Sequence, residues 1–218
     1  MTTRVLLVDD QDLVRAGFRL ILGGRDDITV VGEARDGAEA VRLAREEQPD
    51  VVVMDIRMPG MDGITATRKI VEARPAARIL ILTTFDTDEH VFAAIRAGAS
   101  AFLLKDTGAD QFVEAIRTVA SGNAVIAPAT TRRLLDHLAS TAPAPAPDER
   151  LETLTGRERE VLIHIARGLA NHEIAEVMYL GESTVKTHIS AIMRKLDLRD
   201  RVHAVITAYD YGLVRPSG

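Results

Sequence analysis

The sequence predicts an α/β fold with a doubly wound, parallel, five-stranded sheet, followed by a separate all-α domain of four helices. In residues 1–127, short apolar runs alternate with amphipathic helical stretches, a pattern typical of βαβ units. Residues 150–218 show helical periodicity and no convincing strand. Between them, the segment S-T-A-P-A-P-A-P-D at 140–148 is rich in proline, which lacks an N–H donor and favours an extended spacer. We therefore expect domains at 1–127 and 150–218, joined by a linker at 128–149.

The individual elements follow from the apolar runs and from the spacing of apolar residues between them. We expect five strands, at Val5–Val8, Thr29–Glu33, Val51–Met54, Ile79–Leu82 and Ala101–Leu104. The second strand alternates and ends in a charge, which is typical of a sheet edge. The first domain should contain helices near 12–22, 37–47, 63–73, 88–97 and 108–121, and the linker a short helix near 130–139. The second domain should contain helices near 156–167, 171–178, 182–196 and 200–211.

The composition excludes several classes of protein. Without cysteine, the chain has no disulfide scaffold, no thiolate zinc site and no cysteine nucleophile. No apolar run approaches the roughly 18 residues that cross a bilayer, and the first residues do not resemble a signal peptide. Residues 1–149 carry 17 basic and 23 acidic side chains, whereas residues 150–218 carry 10 and 9. We therefore expect a cytoplasmic protein with no membrane partner and two domains that bind different partners.

Polar side chains stand where the predicted strands end, namely at Asp9, Asp10, Asp55, Thr83 and Lys105. Parallel strands bring their carboxyl ends to one edge of the sheet, so these side chains should meet in one crevice. Three neighbouring carboxylates repel one another and normally require a cation, and carboxylates with water suit Mg²⁺. A carboxylate beside Mg²⁺ can accept a phosphoryl group, whose oxygens a lysine and a hydroxyl can then bind. The pattern predicts a magnesium-dependent phosphoryl-transfer centre.

Four sequence motifs in this domain carry a family resemblance. They are L-L-V-D-D at 6–10, M-D-I-R-M-P-G-M-D-G at 54–63, L-T-T-F-D at 82–86 and G-A-S-A-F-L-L-K-D at 98–106. Residues 1–127 resemble the receiver domain of a two-component response regulator. This resemblance implies a flavodoxin-like sheet of strand order 2-1-3-4-5 and a phosphoryl group supplied by a sensor histidine kinase.

The receiver resemblance also implies roles for individual residues. Asp55 would be the phosphoacceptor and a Mg²⁺ ligand, Asp10 a direct ligand, Asp9 a ligand through water, and Arg57 a ligand through its backbone carbonyl. The residues that bind the phosphoryl group or switch with it would be Thr83, Thr84, Phe102 and Lys105. For Phe102, a permanently buried core ring is the alternative. Asp106 stands where many receivers have proline.

The helix predicted near 182–196 has an apolar seam that packs on its neighbours and a polar side that faces solvent. The polar side presents Lys186, Thr187, Ser190, Arg194 and Lys195. After a shorter helix near 171–178, this arrangement predicts a helix-turn-helix, whose second helix enters the DNA major groove. Ser183 and Thr184 near its start suit phosphate contacts. In the alternative, Ser183 only caps the helix and the lysines only solvate an exposed face.

Two further motifs resemble a known DNA-binding family. From L-T-G-R-E-R-E-V-L at 154–162 to L-D-L-R-D-R-V-H-A at 196–204, the chain resembles a LuxR-type helix-turn-helix domain. A receiver domain combined with such a DNA-binding domain makes the chain resemble the NarL/FixJ class of response regulators. The class implies base contacts at Lys186, Thr187 and Ser190. It also implies that the helix near 200–211 pairs two DNA-binding domains, through Val202, Val205 and Ile206.

The expected function is therefore that of a two-component response regulator. Phosphorylation of Asp55 by a cognate sensor histidine kinase would promote homodimers that bind a two-fold site on double-stranded DNA and regulate transcription. Joining two weak DNA-binding domains raises the effective concentration of the second contact. RNA polymerase is a candidate partner. We expect no enzymatic activity beyond slow self-catalysed phosphoryl uptake and hydrolysis.

Three alternatives come from other functional classes. Phosphatases of the haloacid-dehalogenase class need a second carboxylate two residues after the nucleophile, where this chain has Arg57. A LuxR-type small-ligand sensor needs an aromatic-lined pocket, yet the chain has no tryptophan and only 4% aromatic residues. The third alternative, a receiver-type regulator that acts without phosphorylation, stays open.

Overall fold

The chain forms two compact units, residues 1–127 and residues 128–218, in a computed structural model. The structure describes residues 2–83, 88–121, 125–126 and 149–214. The predicted linker helix near 130–139 lies outside the described residues, as does most of the predicted linker. Within the described residues, no helix is both long enough and apolar enough to cross a membrane.

The first unit is a parallel sheet whose strands alternate with helices. Its strands are β1 (Thr3–Val8), β2 (Ile28–Ala34), β3 (Val51–Asp55), β4 (Arg78–Thr83), β5 (Ala101–Leu104) and β6 (Val125–Ile126). Its helices are α1 (Asp12–Gly23), α2 (Gly37–Glu47), α3 (Gly63–Ala73), α4 (Asp88–Arg96) and α5 (Ala109–Ala120). The strand order is β2-β1-β3-β4-β5-β6, and all pairs are parallel. This confirms the α/β class, the order 2-1-3-4-5 and the position of β2 at an edge.

The sheet has one strand more than the sequence predicts. After α5 the chain returns to the sheet, where Val125 pairs with Ala101 and Ile126 with Phe102. A two-residue strand is too short to produce a recognisable period, because periodicity needs at least four residues to stand out. The sheet therefore consists of the five predicted strands and the short β6, which lies beside β5.

Helices cover both faces of this sheet, which explains why its strands are continuous apolar runs rather than alternating ones. Helices α1 and α5 pack together on one face, and α2, α3 and α4 pack in sequence on the other. The core on the first face contains Leu7, Val53, Leu80, Leu103 and Phe112, all buried. The remaining strand residues point to the opposite face, since side chains alternate along a strand.

The second unit is helical throughout its described residues. A short 3₁₀ helix (Glu149–Thr153) precedes α6 (Gly156–Ala166), α7 (Asn171–Met178), α8 (Glu182–Lys195) and α9 (Arg201–Asp210). Helix α6 packs on α8 and α9, and α7 packs on α8. The turn between α7 and α8 passes through Tyr179, which has a left-handed φ of 54°. The four helices therefore confirm the predicted helix-turn-helix arrangement.

Candidate functional site

Strand register brings the predicted polar residues to one edge of the sheet. Val8 pairs with Met54, so the next residues along these strands, Asp9 and Asp55, become neighbours. In β4 and β5, Thr83 pairs with Leu104, directly before Lys105. The backbone N–H of Lys105 donates to the Thr83 carbonyl at 2.8 Å, which extends the ladder past the last paired residue. Four strands therefore deliver these side chains to a common crevice.

Three carboxylates and one ammonium group form the centre of the crevice. Oxygens of Asp9, Asp10 and Asp55 all lie within 4.8 Å of one another, the one such acidic group among the described residues. The Lys105 Nζ lies 2.6 Å from Asp9 Oδ2 and 2.9 Å from Asp55 Oδ2. Asp9 and Asp55 are only 3% and 5% exposed, whereas Asp10 is exposed to solvent. One ammonium therefore faces two buried carboxylates, and negative charge remains in excess.

Burial and pairing act in opposite directions on the ionisation of this centre. Burial raises the pKa of Asp55 above its usual value, although hydrogen bonding to Lys105 opposes that rise. Burial lowers the pKa of Lys105, but its hydrogen bonds to Asp9 and Asp55 outweigh this and raise the pKa overall. The lysine therefore stays charged. The incompletely neutralised carboxylates, with Asp10 open to solvent, fit the oxygen donors that Mg²⁺ prefers.

Backbone contacts hold the two buried carboxylates in place. The Ile56 N–H donates to Asp55 Oδ1 at 2.8 Å, and the Gln11 N–H donates to Asp9 Oδ1 at 3.0 Å. Gly63 begins α3 so close to β3 that a Cβ atom there would lie 1.9 Å from the Asp55 carbonyl oxygen. The absence of a side chain at Gly63 is therefore a condition for the site's geometry.

An arginine on α1 supports the segment that carries Asp9 and Asp10. Arg15 Nη1 donates to the Asp9 carbonyl at 2.6 Å, and its side chain also contacts Asp12 and Glu33. Its side chain is only 12% exposed. Sequence reasoning missed both Arg15 and Gly63, because arginine in an amphipathic helix and glycine after a strand are both common on structural grounds alone.

The other predicted receiver residues occupy different environments. Thr83 is buried at the end of β4, and Phe102 is buried within β5, so its ring is a core ring in this structure. Arg57 is exposed on the segment after β3, where it lines a pocket of about 440 Å³ together with His90. The peptide bond after Lys105 is trans, since the described residues contain no cis peptide bond. Thr84 lies outside the described residues.

Helix α8 presents most of the predicted DNA contacts to solvent. Its exposed side chains include Ser183, Thr184, Lys186, Thr187, Ser190 and Arg194. The N-cap is Gly181 and no side chain caps the helix, so the alternative that Ser183 acts only as a cap is wrong. The Thr187 and Ser190 hydroxyls donate to the carbonyls of Ser183 and Lys186, each at 3.0 Å. The surface is therefore polar and open, and a role in DNA binding remains a prediction.

Lys195 differs from the rest of the predicted DNA contacts. Its Nζ donates to Glu158 Oε2 at 2.7 Å and to the Thr153 carbonyl at 3.0 Å, and so faces α6. Glu158 also accepts from the Thr155 N–H at 2.7 Å, which closes a capping box at the start of α6. The hydrogen bond to Lys195 lowers the pKa of Glu158 to about 2. In this structure Lys195 links α8 to α6, and a contact between this side chain and DNA remains a prediction.

Two of the three predicted dimer contacts need correction. Val202 is 1% exposed and Val205 is 5% exposed, because the apolar face of α9 packs on α6 within the same unit. Residues already covered by their own domain cannot form the interface between two copies. Ile206 is partly exposed and remains the one candidate of the three.

Both units match described protein families. Residues 5–117 match the response regulator receiver domain, and residues 152–208 match the bacterial regulatory proteins of the luxR family. The family matches coincide with the sheet unit and the helical unit, respectively.

Several similar proteins align with nearly the whole of this chain. The uncharacterized transcriptional regulatory protein YxjL of Bacillus subtilis is 44% identical, over 97% of this chain and 97% of that protein. The transcriptional regulatory protein LnrK of the same species is 42% identical, over 96% and 98%. The crystal structure of the response regulator ChrA, from a heme-sensing two-component system, is 39% identical with a TM-score of 0.53. That match covers 98% of this chain and 99% of ChrA.

Proposed function

This chain belongs to the response regulators, with a receiver domain followed by a LuxR-type DNA-binding domain, and we propose that phosphorylation of Asp55 by a sensor histidine kinase controls its binding to DNA. The observation that carries the proposal is the position of Lys105, 2.9 Å from Asp55 and 2.6 Å from Asp9 within a three-carboxylate cluster. A lysine in that position can bind the oxygens of a phosphoryl group attached to Asp55.

The side chains of the crevice have complementary tasks in phosphoryl transfer. An Asp55 carboxylate oxygen forms the new O–P bond while the P–N bond of the donor phosphohistidine breaks, which leaves the electron pair on the imidazole nitrogen. Asp9, Asp10, Asp55 and the Arg57 carbonyl would hold Mg²⁺, which when bound neutralises charge on the transferred oxygens. Lys105 then exchanges its Asp55 partner for a phosphoryl oxygen.

The switch follows from the added charge. A phosphorylated Asp55 is a dianion with new acceptor oxygens, and the nearest hydroxyl on β4 is that of Thr83, one strand away. Movement of Thr83 toward the phosphoryl group opens space behind β4 into which the Phe102 ring can turn. Such a repacked surface favours a homodimer, and two LuxR-type domains then bind a two-fold DNA site with the avidity of a linked pair.

The roles of the remaining residues follow the same scheme. Thr84 adjoins the switch threonine, and we assign to it an influence on the lifetime of the phosphoryl group. On α8, Lys186, Thr187 and Ser190 would read base edges, while Ser183, Thr184 and Arg194 would contact phosphates. We propose a phosphoacceptor transcription factor whose own chemistry is limited to slow phosphoryl uptake and hydrolysis, with RNA polymerase as a candidate partner.

Intact-mass measurement after incubation with a small phosphoryl donor and Mg²⁺ tests the acceptor assignment. The wild-type chain should gain the mass of one phosphoryl group, and Asp55→Ala should gain none. The wild-type chain should lose this gain when Mg²⁺ is chelated. Uptake by Asp55→Ala at the wild-type level would reject Asp55 as the acceptor. If the wild-type chain binds DNA but never takes up a phosphoryl group, the result would favour a regulator that acts without phosphorylation.

A further inference from the structure

The polar surface of α8 carries one carboxylate, and that carboxylate is paired. Glu182 is the first residue of α8 and is exposed, beside the exposed hydroxyl residues Ser183 and Thr184. Its Oε1 lies 2.8 Å from the Nζ of Lys186, one helical turn further along the same face. The side chain of Glu182 is 49% exposed and that of Lys186 is 62% exposed, so neither is held by packing.

We propose that Glu182 is a specificity-determining residue that competes with DNA phosphates for the ammonium group of Lys186. The inference rests on the proposed function, because it requires α8 to be the helix that enters the major groove. A phosphate diester and a carboxylate are both anionic oxygen acceptors, so one can replace the other at the lysine.

The competition acts differently on specific and non-specific DNA. Non-specific binding comes almost entirely from lysine and arginine contacts to phosphates, each of which releases counterions. When Lys186 is paired to Glu182, it makes no contact with a DNA phosphate, and the Glu182 carboxylate repels the phosphates of the DNA backbone. At a specific site, an acceptor on a base edge in the major groove can replace Glu182 as the partner of the Lys186 ammonium group. The new hydrogen bond then compensates for the loss of the Glu182–Lys186 ion pair. Glu182 therefore lowers binding to random DNA more than binding to the correct sequence.

The electrostatics of the pair support this account. The hydrogen bond from Lys186 lowers the pKa of Glu182, so the carboxylate is charged whenever α8 approaches DNA. Surface pairs of this kind stabilise a protein by little, because solvent screens them. A pair that contributes little to folding can be broken at little cost when DNA offers a better partner.

The helical unit also offers a matched control. Arg157 and Glu160 form an exposed pair on α6 at 2.8 Å, with side chains 61% and 54% exposed. Glu160→Gln changes the net charge of the chain by the same amount as Glu182→Gln, and it also releases one exposed cation. The two variants differ in position: only Glu182 lies on α8.

The experiment compares two probes of about 30 base pairs, three helical turns. One is a duplex selected from a random library by the phosphorylated wild-type chain, and the other is a random-sequence duplex. In full-length Glu182→Gln, affinity for the random duplex should rise about fivefold, and the slope of log K against log salt should steepen by about one. Affinity for the selected duplex should change less than about twofold, so the specificity ratio falls. Glu160→Gln should leave both affinities near wild type.

A double-mutant cycle tests whether Glu182 acts through Lys186. In a Lys186→Gln background, Glu182→Gln should alter random-duplex affinity by less than half of its effect in the wild-type background. An equal effect in both backgrounds would overturn the competition, as would an equal rise for both duplexes or an equal response to Glu160→Gln. If the wild-type chain selects no sequence and binds no duplex, the proposed function itself fails, and this inference fails with it.

Discussion

Each unit pairs a partly buried lysine with carboxylate oxygens, but the number of carboxylates around that lysine differs. In the receiver unit, Lys105 faces Asp9 and Asp55 while Asp10 adds a third negative charge. In the helical unit, Lys195 faces Glu158 alone, and backbone groups at Thr153 and Thr155 complete the hydrogen bonds.

The carboxylates of the two sites also differ in the direction of their pKa shifts, with burial the main cause at Asp55 and hydrogen bonding the main cause at Glu158. Burial raises the pKa of Asp55, whereas pairing with Lys195 lowers the pKa of Glu158 to about 2. An unbalanced cluster retains the capacity to bind a cation and an incoming phosphoryl group. A balanced, closed pair has no such capacity and serves as an anchor between helices. Charge balance, rather than the presence of a lysine, separates the proposed phosphoryl-transfer site from the structural pair.

Filling the space at Gly63 should change both stability and phosphoryl uptake more than any other substitution considered below. A Cβ atom at this position would lie 1.9 Å from the Asp55 carbonyl oxygen, so Gly63→Ala must displace the backbone at Asp55. We expect the free energy of unfolding to fall by about 3 kcal/mol and phosphoryl uptake to be lost. Chemical denaturation followed by circular dichroism and intact-mass measurement check the two effects.

Gly17→Ala is the matched control for this substitution. Gly17 lies within α1, and a Cβ atom there would meet no other described atom within 4 Å. Alanine at this position should be neutral or stabilising by up to about 1 kcal/mol. If Gly63→Ala behaves like Gly17→Ala, the tight contact between α3 and β3 does not define the acceptor geometry.

A substitution at Lys105 tests the excess of negative charge in the crevice of the receiver unit. Lys105→Met removes the ammonium group between Asp9 and Asp55, so without Mg²⁺ the free energy of unfolding should fall by about 2 kcal/mol. Added Mg²⁺ should restore more stability to this variant than to the wild-type chain, because the cation replaces the missing charge. Urea titrations with and without Mg²⁺ measure both quantities. Lys69→Met, at an exposed position on α3, should show neither change.

A smaller effect tests the balanced pair in the helical unit. The pKa of Glu158 in the folded chain is about 2, below its usual value of 4.5. The stabilisation that the ionised carboxylate gives to the folded state is therefore fully present above about pH 4.5 and is lost as the pH falls toward 2. Glu158→Gln should be about 1–2 kcal/mol less stable at neutral pH, allowing for solvent screening, and should lack this acid-dependent loss.

The natural tyrosines make this measurement selective. Tyr179, Tyr209 and Tyr211 are the three tyrosines of the chain, which has no tryptophan, and all lie in the helical unit. Tyrosine fluorescence therefore follows unfolding of that unit within the full chain. An acid profile for Glu158→Gln that parallels the wild-type profile would show that the Lys195 pair does not anchor the helices. Glu160→Gln serves as the exposed control.

A weaker effect is expected at Arg15, which supports the segment that we propose to bind Mg²⁺. Arg15→Ala removes the hydrogen bond to the Asp9 carbonyl, so the affinity for Mg²⁺ should weaken by about fivefold, or ~1 kcal/mol. Arg19→Ala is a matched control, because Arg19 pairs with Glu33, as Arg15 does, and belongs to the same helix. Calorimetric titration with Mg²⁺ distinguishes the two variants. Equal affinities would mean that Arg15 stabilises α1 without positioning the ligands.

The sequence predicts which side chains converge in the crevice, because these residues stand at strand ends. Buried apolar runs mark the strands, and a parallel sheet necessarily gathers the residues that follow them, such as Asp9, Asp55 and Lys105. The same reasoning cannot find Arg15 or Gly63, whose importance depends on contacts with backbone atoms outside their own elements. The strand at Val125–Ile126 is too short to show a period.

The helical unit is predicted less completely, because an amphipathic pattern does not say what covers its apolar face. The spacing of Val202 and Val205 would suit an interface between two chains. In the structure, however, both side chains are covered by α6 of the same chain. Lys195 follows Arg194 on the polar side of α8, yet the carboxylate it meets belongs to the capping box of α6. Only the tertiary structure reveals that partner.

We propose that a phosphoryl group on Asp55 determines whether the helical unit binds DNA. The most direct measurement is the affinity of the full chain for a selected duplex, with and without a phosphoryl donor, for the wild-type chain and for Asp55→Ala. We predict an increase of about tenfold or more for the wild-type chain and no change for the variant. Equal, donor-independent affinities in the two proteins would mean that phosphorylation of Asp55 does not control DNA binding.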